Sequence, residues 1–217
     1  MAIPVLILGE SGTGKSASLR NFKKGEVAVI NVAGKPLPFK SDLGMIVTDR
    51  YPDIVKALKG MKTPSAVVDD AQYLLANEFM RRSGEVGFQK FTDIAKNYWS
   101  LIAETVSKEL PPDKIVYFLS HIERDQNGNE KVKTIGKLLD EKITVEGLFT
   151  IVLKTHVEDG KYTFFTQNSG FDTVKSPIGM FEEIQVDNDL KMVDNVIRNY
   201  YGIQVETNER KEEKKND

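Results

Sequence analysis

The sequence predicts an α/β fold with a mainly parallel central sheet and an antiparallel hairpin toward the C-terminus. Three observations predict it. Short, continuously apolar runs recur at Ile3–Leu8, Val27–Val32, Ser65–Val68 and Lys114–Leu119, as in strands covered on both faces. Stretches of helical spacing alternate with these runs, the pattern of parallel strands joined by crossover helices. Thr150–Val157 and Tyr162–Thr166 flank Glu158-Asp159-Gly160-Lys161, which reads as a hairpin turn.

In chain order, the first strand, Ile3–Leu8, passes into a helix expected over Lys15–Phe22 and stopped by Gly25. Residues 33–44 form a loop punctuated by Gly34, Pro36 and Pro38, followed by a short apolar patch, Met45-Ile46-Val47, and a helix over Tyr51–Leu58. The strand Ser65–Asp70 ends in two acids, and Gln72–Met80 is helical. From Phe88, the residues Phe91, Ile94, Ala95, Tyr98, Leu101, Ile102 and Thr105 keep the three/four spacing of a long amphipathic helix that ends before Pro111-Pro112. The fourth core strand is expected to close on Ser120-His121. Asn127-Gly128 marks a turn between polar arms, and Leu138–Leu148 is expected to be helical. Met192, Val193, Val196, Ile197 and Tyr200 mark a last helix. No internal repeat is visible. The reading is one domain over residues 1–205 and a charged, disordered tail over 206–217.

Composition removes several function classes. The 217 residues carry 30 Lys+Arg against 32 Asp+Glu, a net charge of −2, so no whole-molecule basic field drives nucleic-acid binding. Cysteine is absent, which excludes disulfide frameworks, thiolate metal sites and thiol catalysis. Two histidines, His121 and His156, are too few for a histidine-built metal site. The apolar opening is too short to span a bilayer and lacks a basic leader, so no membrane association is expected and the location is cytoplasmic.

Gly9-Glu10-Ser11-Gly12-Thr13-Gly14-Lys15-Ser16 matches the phosphate-loop pattern G-x-x-x-x-G-K-[ST] in full, and it sits between a strand and a helix as that pattern requires. By chance the match occurs about once per hundred chains of this length. The glycines let successive backbone N–H groups, through Ala17, curl around phosphates, and the following helix adds its dipole. Lys15, expected to face solvent in the free protein, would reach the β/γ-phosphates of ATP, and the Ser16 hydroxyl would ligate Mg²⁺. At the end of a buried strand, Asp69 is the metal-side acid, through water. Asp70 either polarises the attacking water or caps the next helix. His121 either senses the γ-phosphate or is a solvated strand end.

On these residues the chain resembles the RecA-type branch of the P-loop ATPases: Gly9–Ser16, Val67-Val68-Asp69-Asp70, and a strand ending Leu119-Ser120-His121-Ile122. Its compact layout is similar to the single-domain RecA-like ATPases of bacteriophages, some of which assist single-strand annealing and recombination. The resemblance covers roughly residues 1–180, and only its first motif is highly specific. It implies a three-layer sandwich, Mg²⁺-dependent ATP hydrolysis, a homo-oligomer, and residence in the host cytoplasm. Thr173-Val174-Lys175-Ser176 is similar to the family's basic finger, which makes Lys175 either a cation reaching a neighbour's γ-phosphate or a solvated loop lysine. By the same resemblance, the loop from Glu123 to Gly136 would contact single-stranded DNA through Arg124, Lys131 and Lys133, with Lys137 just beyond. Its acids make that stretch neutral and it lacks a stacking aromatic, so an ordinary solvated hairpin has equal weight.

The sequence departs from the family where a catalytic Glu usually follows an early strand: Asn31-Val32-Ala33-Gly34-Lys35 offers no acid. Asp70, ahead of Glu78, would have to serve, and turnover would be slow or partner-stimulated. Two alternatives compete. A small-molecule kinase shares the loop, but Arg81-Arg82 is not accompanied by an arginine-rich lid. A non-hydrolysing nucleotide-dependent loader would act through protein contacts. No Asn-Lys-x-Asp segment supports guanine specificity, so ATP is the expected nucleotide.

Overall fold

The computed structural model describes residues 1–204, apart from the side chains of residues 140 and 141. The expected charged tail, 206–217, lies outside the described residues. The strands are β1 (Ile3–Gly9), β2 (Val27–Asn31), β3 (Gly44–Val47), β4 (Ser65–Asp69), β5 (Ile115–Arg124), β6 (Glu130–Val132), β7 (Ile151–Glu158), β8 (Lys161–Phe165) and β9 (Gln185–Asp187). The α-helices are α1 (Tyr51–Gly60), α2 (Tyr73–Arg81), α3 (Gln89–Ser100) and α4 (Leu190–Tyr201). Among the described residues no helix is long and apolar enough to cross a membrane.

One mixed sheet runs in the order β3-β2-β4-β5-β1-β7-β8-β9, with β6 attached to the far end of β5. The six strands from β3 to β7 in that order pair in parallel, while β7–β8, β8–β9 and β5–β6 pair antiparallel. Side chains alternate across each strand, so each core strand feeds two hydrophobic layers. Leu6 and Leu8 of β1, Val68 of β4 and Phe118 of β5 pack with Ile54, Leu74, Ile94 and Tyr98 from α1–α3. On the other face, Val5, Ile7, Val67 and Tyr117 pack with Leu19 and with Val193 and Ile197 of α4. This two-sided cover is the reason the strands read as continuous apolar runs.

Two turns follow their sequence signals. Asp159 and Gly160 both take left-handed φ, 50° and 74°, which matches the twist of a two-residue hairpin loop between β7 and β8. At Asn127-Gly128 the turn closes with Gly128 at φ 84° and with the Asp125 carboxylate accepting the Asn127 and Asn129 N–H groups at 2.8 and 2.9 Å.

Two expectations need correction, and two further segments gain detail. The helical stretch expected after the loop is present as a 3₁₀ helix, Ser16–Asn21, in which the Ser18 hydroxyl donates to the Lys15 carbonyl at 2.6 Å. The strand expected to close at Ser120-His121 continues to Arg124, since β6 offers its polar half an antiparallel partner. Leu138–Leu148 is two short helical pieces, Leu138–Lys142 and Val145–Leu148, separated by extended backbone at Ile143 and Thr144. The Met45–Val47 patch is a strand, added in parallel to the edge of β2. The long helix is present, and beyond α3 it widens into a π-helical stretch over Leu101–Glu109.

Candidate functional site

Strand β1 lies between β5 and β7, so the loop that follows it opens at the centre of the sheet's C-terminal edge. Its glycines have two separate jobs. Gly12 and Gly14 hold left-handed φ, 80° and 95°, which side chains disfavour. Gly9 is needed for space instead: a Cβ there would lie 1.8 Å from Thr155 Oγ1 and 2.7 Å from Thr13 Oγ1. Those two hydroxyls are bonded at 2.5 Å, and Thr13 also donates to the Glu10 carbonyl at 2.8 Å, so β7 braces the loop from behind.

The expectation that Lys15 faces solvent is overturned. Its side chain folds under the loop, 7% exposed, and its ammonium donates to the carbonyls of Gly9 and Glu10 at 2.9 and 2.7 Å. An ammonium must satisfy its donors when water is excluded, and the inward-facing carbonyls of the curled loop do this. Burial lowers the Lys15 pKa to about 8, against the opposing pull of Asp70 and Asp69.

Ser16 and Asp69 meet across the cleft, with the Ser16 hydroxyl donating to Asp69 Oδ1 at 2.9 Å. Burial pushes the Asp69 carboxyl above its ordinary range, and the Ser16 bond works against that shift. Asp70 takes φ 59°, in the left-handed region, which turns the chain sharply after β4. Its two carboxylate oxygens lie 3.5 Å from His121 Nε2 and 3.4 Å from Lys35 Nζ. The bond with His121, then the nearby Lys35 charge, hold the Asp70 pKa down despite burial. The helix-cap reading of Asp70 is therefore wrong: Gln72 stands at the cap of α2 and makes no side-chain cap bond. Instead Gln72 Oε1 accepts the His121 backbone N–H at 3.2 Å, and the His121 ring stands edge-on to Tyr73.

These residues line one cleft of about 380 Å³, which gathers Gly12, Gly14, Lys15, Ser16, Asp69, Asp70 and His121 from separate stretches of chain. The same cleft holds residues that the sequence did not single out: Asn31, Lys35, Pro36, Pro38 and Tyr162. The signal that could have found Lys35 is its place just after β2, the strand paired with β4. Among the described residues no group of three or more His, Asp or Glu side chains could hold a metal unaided. Two hard oxygens, from Ser16 and Asp69, suit a cation such as Mg²⁺ that keeps waters and takes phosphate oxygens as its other ligands.

Several candidates stand apart from the cleft. Lys175 is exposed and bridges its backbone to Val152 of β7 at 2.8 and 2.9 Å, away from the cleft lining. Arg124 is paired with Glu10 and Glu130 at 2.9 and 3.0 Å, and Lys131 with Glu123 at 3.2 Å. Lys133 and Lys137 are exposed on the segment after β6, and Lys133 lines a neighbouring cavity of about 210 Å³ that reaches His121. Compared with known proteins, the chain matches no family model and no curated protein.

Proposed function

We propose that the chain is a Mg²⁺-dependent ATP-binding protein and ATPase, a P-loop enzyme of RecA-like layout. One observation carries the reading: the Ser16 hydroxyl on Asp69 at 2.9 Å, at the mouth of a loop with Lys15 beneath it. That contact supports the reading of a phosphate loop facing its acidic partner strand. The strand order supports it further, since β5 lies between β1 and β4 and sets His121 in register with Gly9.

In this reading the Gly12–Ser16 backbone N–H groups receive the β- and γ-phosphates. Lys15 exchanges the Gly9 and Glu10 carbonyls for phosphate oxygens, whose charge favours the ammonium form that burial disfavours. Bound Mg²⁺ supplies neutralisation of the phosphate charge. Asp70 stays ionised at neutral pH and faces the cleft, where it orients the attacking water, and His121 fixes the Asp70 carboxylate. A role in DNA recombination or single-strand annealing, with Lys133 and Lys137 at the DNA side, belongs to the same proposal and rests on the family resemblance.

The test is ATP binding and hydrolysis with and without single-stranded DNA across a salt series, for the native chain, Lys15→Ala and Asp69→Asn. Lys15→Ala should lose binding or turnover by about a hundredfold, and Asp69→Asn should lose the Mg²⁺-dependent part of binding. Unchanged affinity and turnover in both variants would refute the assignment. Absence of any DNA effect at low salt would refute the recombination role alone.

A further inference from the structure

Residues 31–35 form a built turn at the cleft wall. Asn31, 2% exposed at the end of β2, accepts the Gly34 N–H on Oδ1 at 2.8 Å and donates from Nδ2 to the Lys35 carbonyl. Gly34 supplies the left-handed φ of 68° that the turn requires, and Pro36 biases Lys35 toward extended backbone. Asn31 is the register partner of Asp69, so the turn is anchored beside the acids at the strand ends. The backbone of Lys35 is thus pinned while its side chain is 64% exposed. That side chain reaches over the Tyr73 ring, 5.1 Å from its centroid, to Asp70 Oδ2 at 3.4 Å.

We propose that Lys35 is the chain's own contact for a terminal phosphate, parked on Asp70 in the free protein and transferred to the γ-phosphate when a nucleoside triphosphate binds. The inference rests on the ATP-binding reading above. A single carboxylate holds so exposed an ammonium weakly. A triphosphate seated on the loop presents several negative charges to the same space, and Lys35 lines that cleft together with Lys15. The exchange also removes the cation from Asp70 at the moment the terminal phosphate arrives, leaving His121 to hold that carboxylate. A diphosphate does not reach as far, so Lys35 would distinguish ATP from ADP. The segment in which the family's usual catalytic acid is missing would then supply a cation in its place.

The experiment is calorimetric titration with a non-hydrolysable ATP analogue and with ADP, both with Mg²⁺. The proteins are the native chain, Lys35→Ala, Lys35→Gln, Lys35→Arg and Lys175→Ala, each melted first without nucleotide. Lys35→Ala and Lys35→Gln should lose about tenfold or more in affinity for the analogue while ADP affinity changes by less than about twofold. Lys35→Arg should keep most of the preference. Equal weakening of both ligands would reduce Lys35 to a general field effect and overturn the inference. So would an unchanged preference in Lys35→Ala, above all if Lys175→Ala loses it. A native chain that binds neither nucleotide would overturn the ATP-binding reading itself, and this inference with it.

Discussion

Gly9→Ala isolates the packing behind the loop from the chemistry in front of it. The added methyl would lie 1.8 Å from Thr155 Oγ1, less than a bonded hydroxyl pair would allow, so Thr155 must rotate. Rotation breaks the hydrogen bonding of its hydroxyl, whose single proton is shared between Thr13 Oγ1 at 2.5 Å and the Leu8 carbonyl at 3.2 Å, and Thr155 is 5% exposed, so water cannot replace it freely. Even then Thr155 Cβ stays 3.2 Å away, and it belongs to a strand that cannot retreat. Overpacking costs about 1–3 kcal/mol and each buried hydrogen bond about 1 kcal/mol, so the variant should lose about 3 kcal/mol. For a domain of this size that lowers Tm by about 6–12 °C. Urea unfolding of Gly9→Ala, Thr155→Ala and the double variant measures it. Removing the Thr155 hydroxyl removes the worst clash, so the double variant should recover about half of the loss, a coupling of 1 kcal/mol or more. A Gly9→Ala protein within about 0.5 kcal/mol of the native chain, or strict additivity in the double variant, would refute the steric account.

Two further outcomes follow from buried charges. The Lys15 pKa, about 8 when folded, lies below the 10.5 of the unfolded chain, so between these values the unfolded chain holds the extra proton and stability rises with pH. Unfolding free energies across pH 7–10.5 should show the native chain gaining up to about 3 kcal/mol relative to Lys15→Met, and a pH-independent difference would contradict it. At the opposite ends of β4 and β5, Arg198 is 4% exposed and joins Asp194 at 2.7 Å, while also donating to the Asp113 and Pro64 carbonyls at 3.0 Å. Arg198→Met leaves the Asp194 carboxylate buried with only the Ser65 and Tyr117 hydroxyls and should cost about 3–5 kcal/mol, with nucleotide affinity unchanged. Urea midpoints and ATP titration check both halves of that statement.

The sheet was legible because its cause is local. Strands buried on both faces must be apolar at successive positions, and Ile3–Leu8 and Ser65–Val68 satisfy this without reference to any partner. Asp159-Gly160 was legible for the same reason, since the turn imposes its own φ requirement. The far half of β5 was not, because Ser120–Arg124 is polar and becomes strand only by pairing with Glu130–Val132. Helix type after the loop, 3₁₀ over Ser16–Asn21, was equally hidden.

At the cleft the division is sharper. Gly9–Ser16 and Asp69 declare themselves through spacing, but Lys35 lies in a Gly/Pro-rich stretch that looks like any loop. Its place is set by topology: β2 pairs with β4, Asn31 falls opposite Asp69, and the Asn31 amide fixes the turn that carries Lys35. Asp70 depends on a similar long-range fact. Neighbours on a strand point to opposite faces, so two consecutive acids at the end of β4 would normally diverge. The left-handed φ of Asp70 ends that alternation, and both carboxylates line one cleft. Their surroundings then separate them. Burial raises the pKa of Asp69, beside the Ser16 hydroxyl, whereas His121 and Lys35 lower that of Asp70. One acid disfavoured by burial beside the Ser16 hydroxyl, next to one held down by His121 and Lys35, gives the pair two different surroundings on a single turn of chain. Had Asp70 kept strand geometry, His121 and Lys35 would have no common partner, and the cleft would hold one acid in place of two.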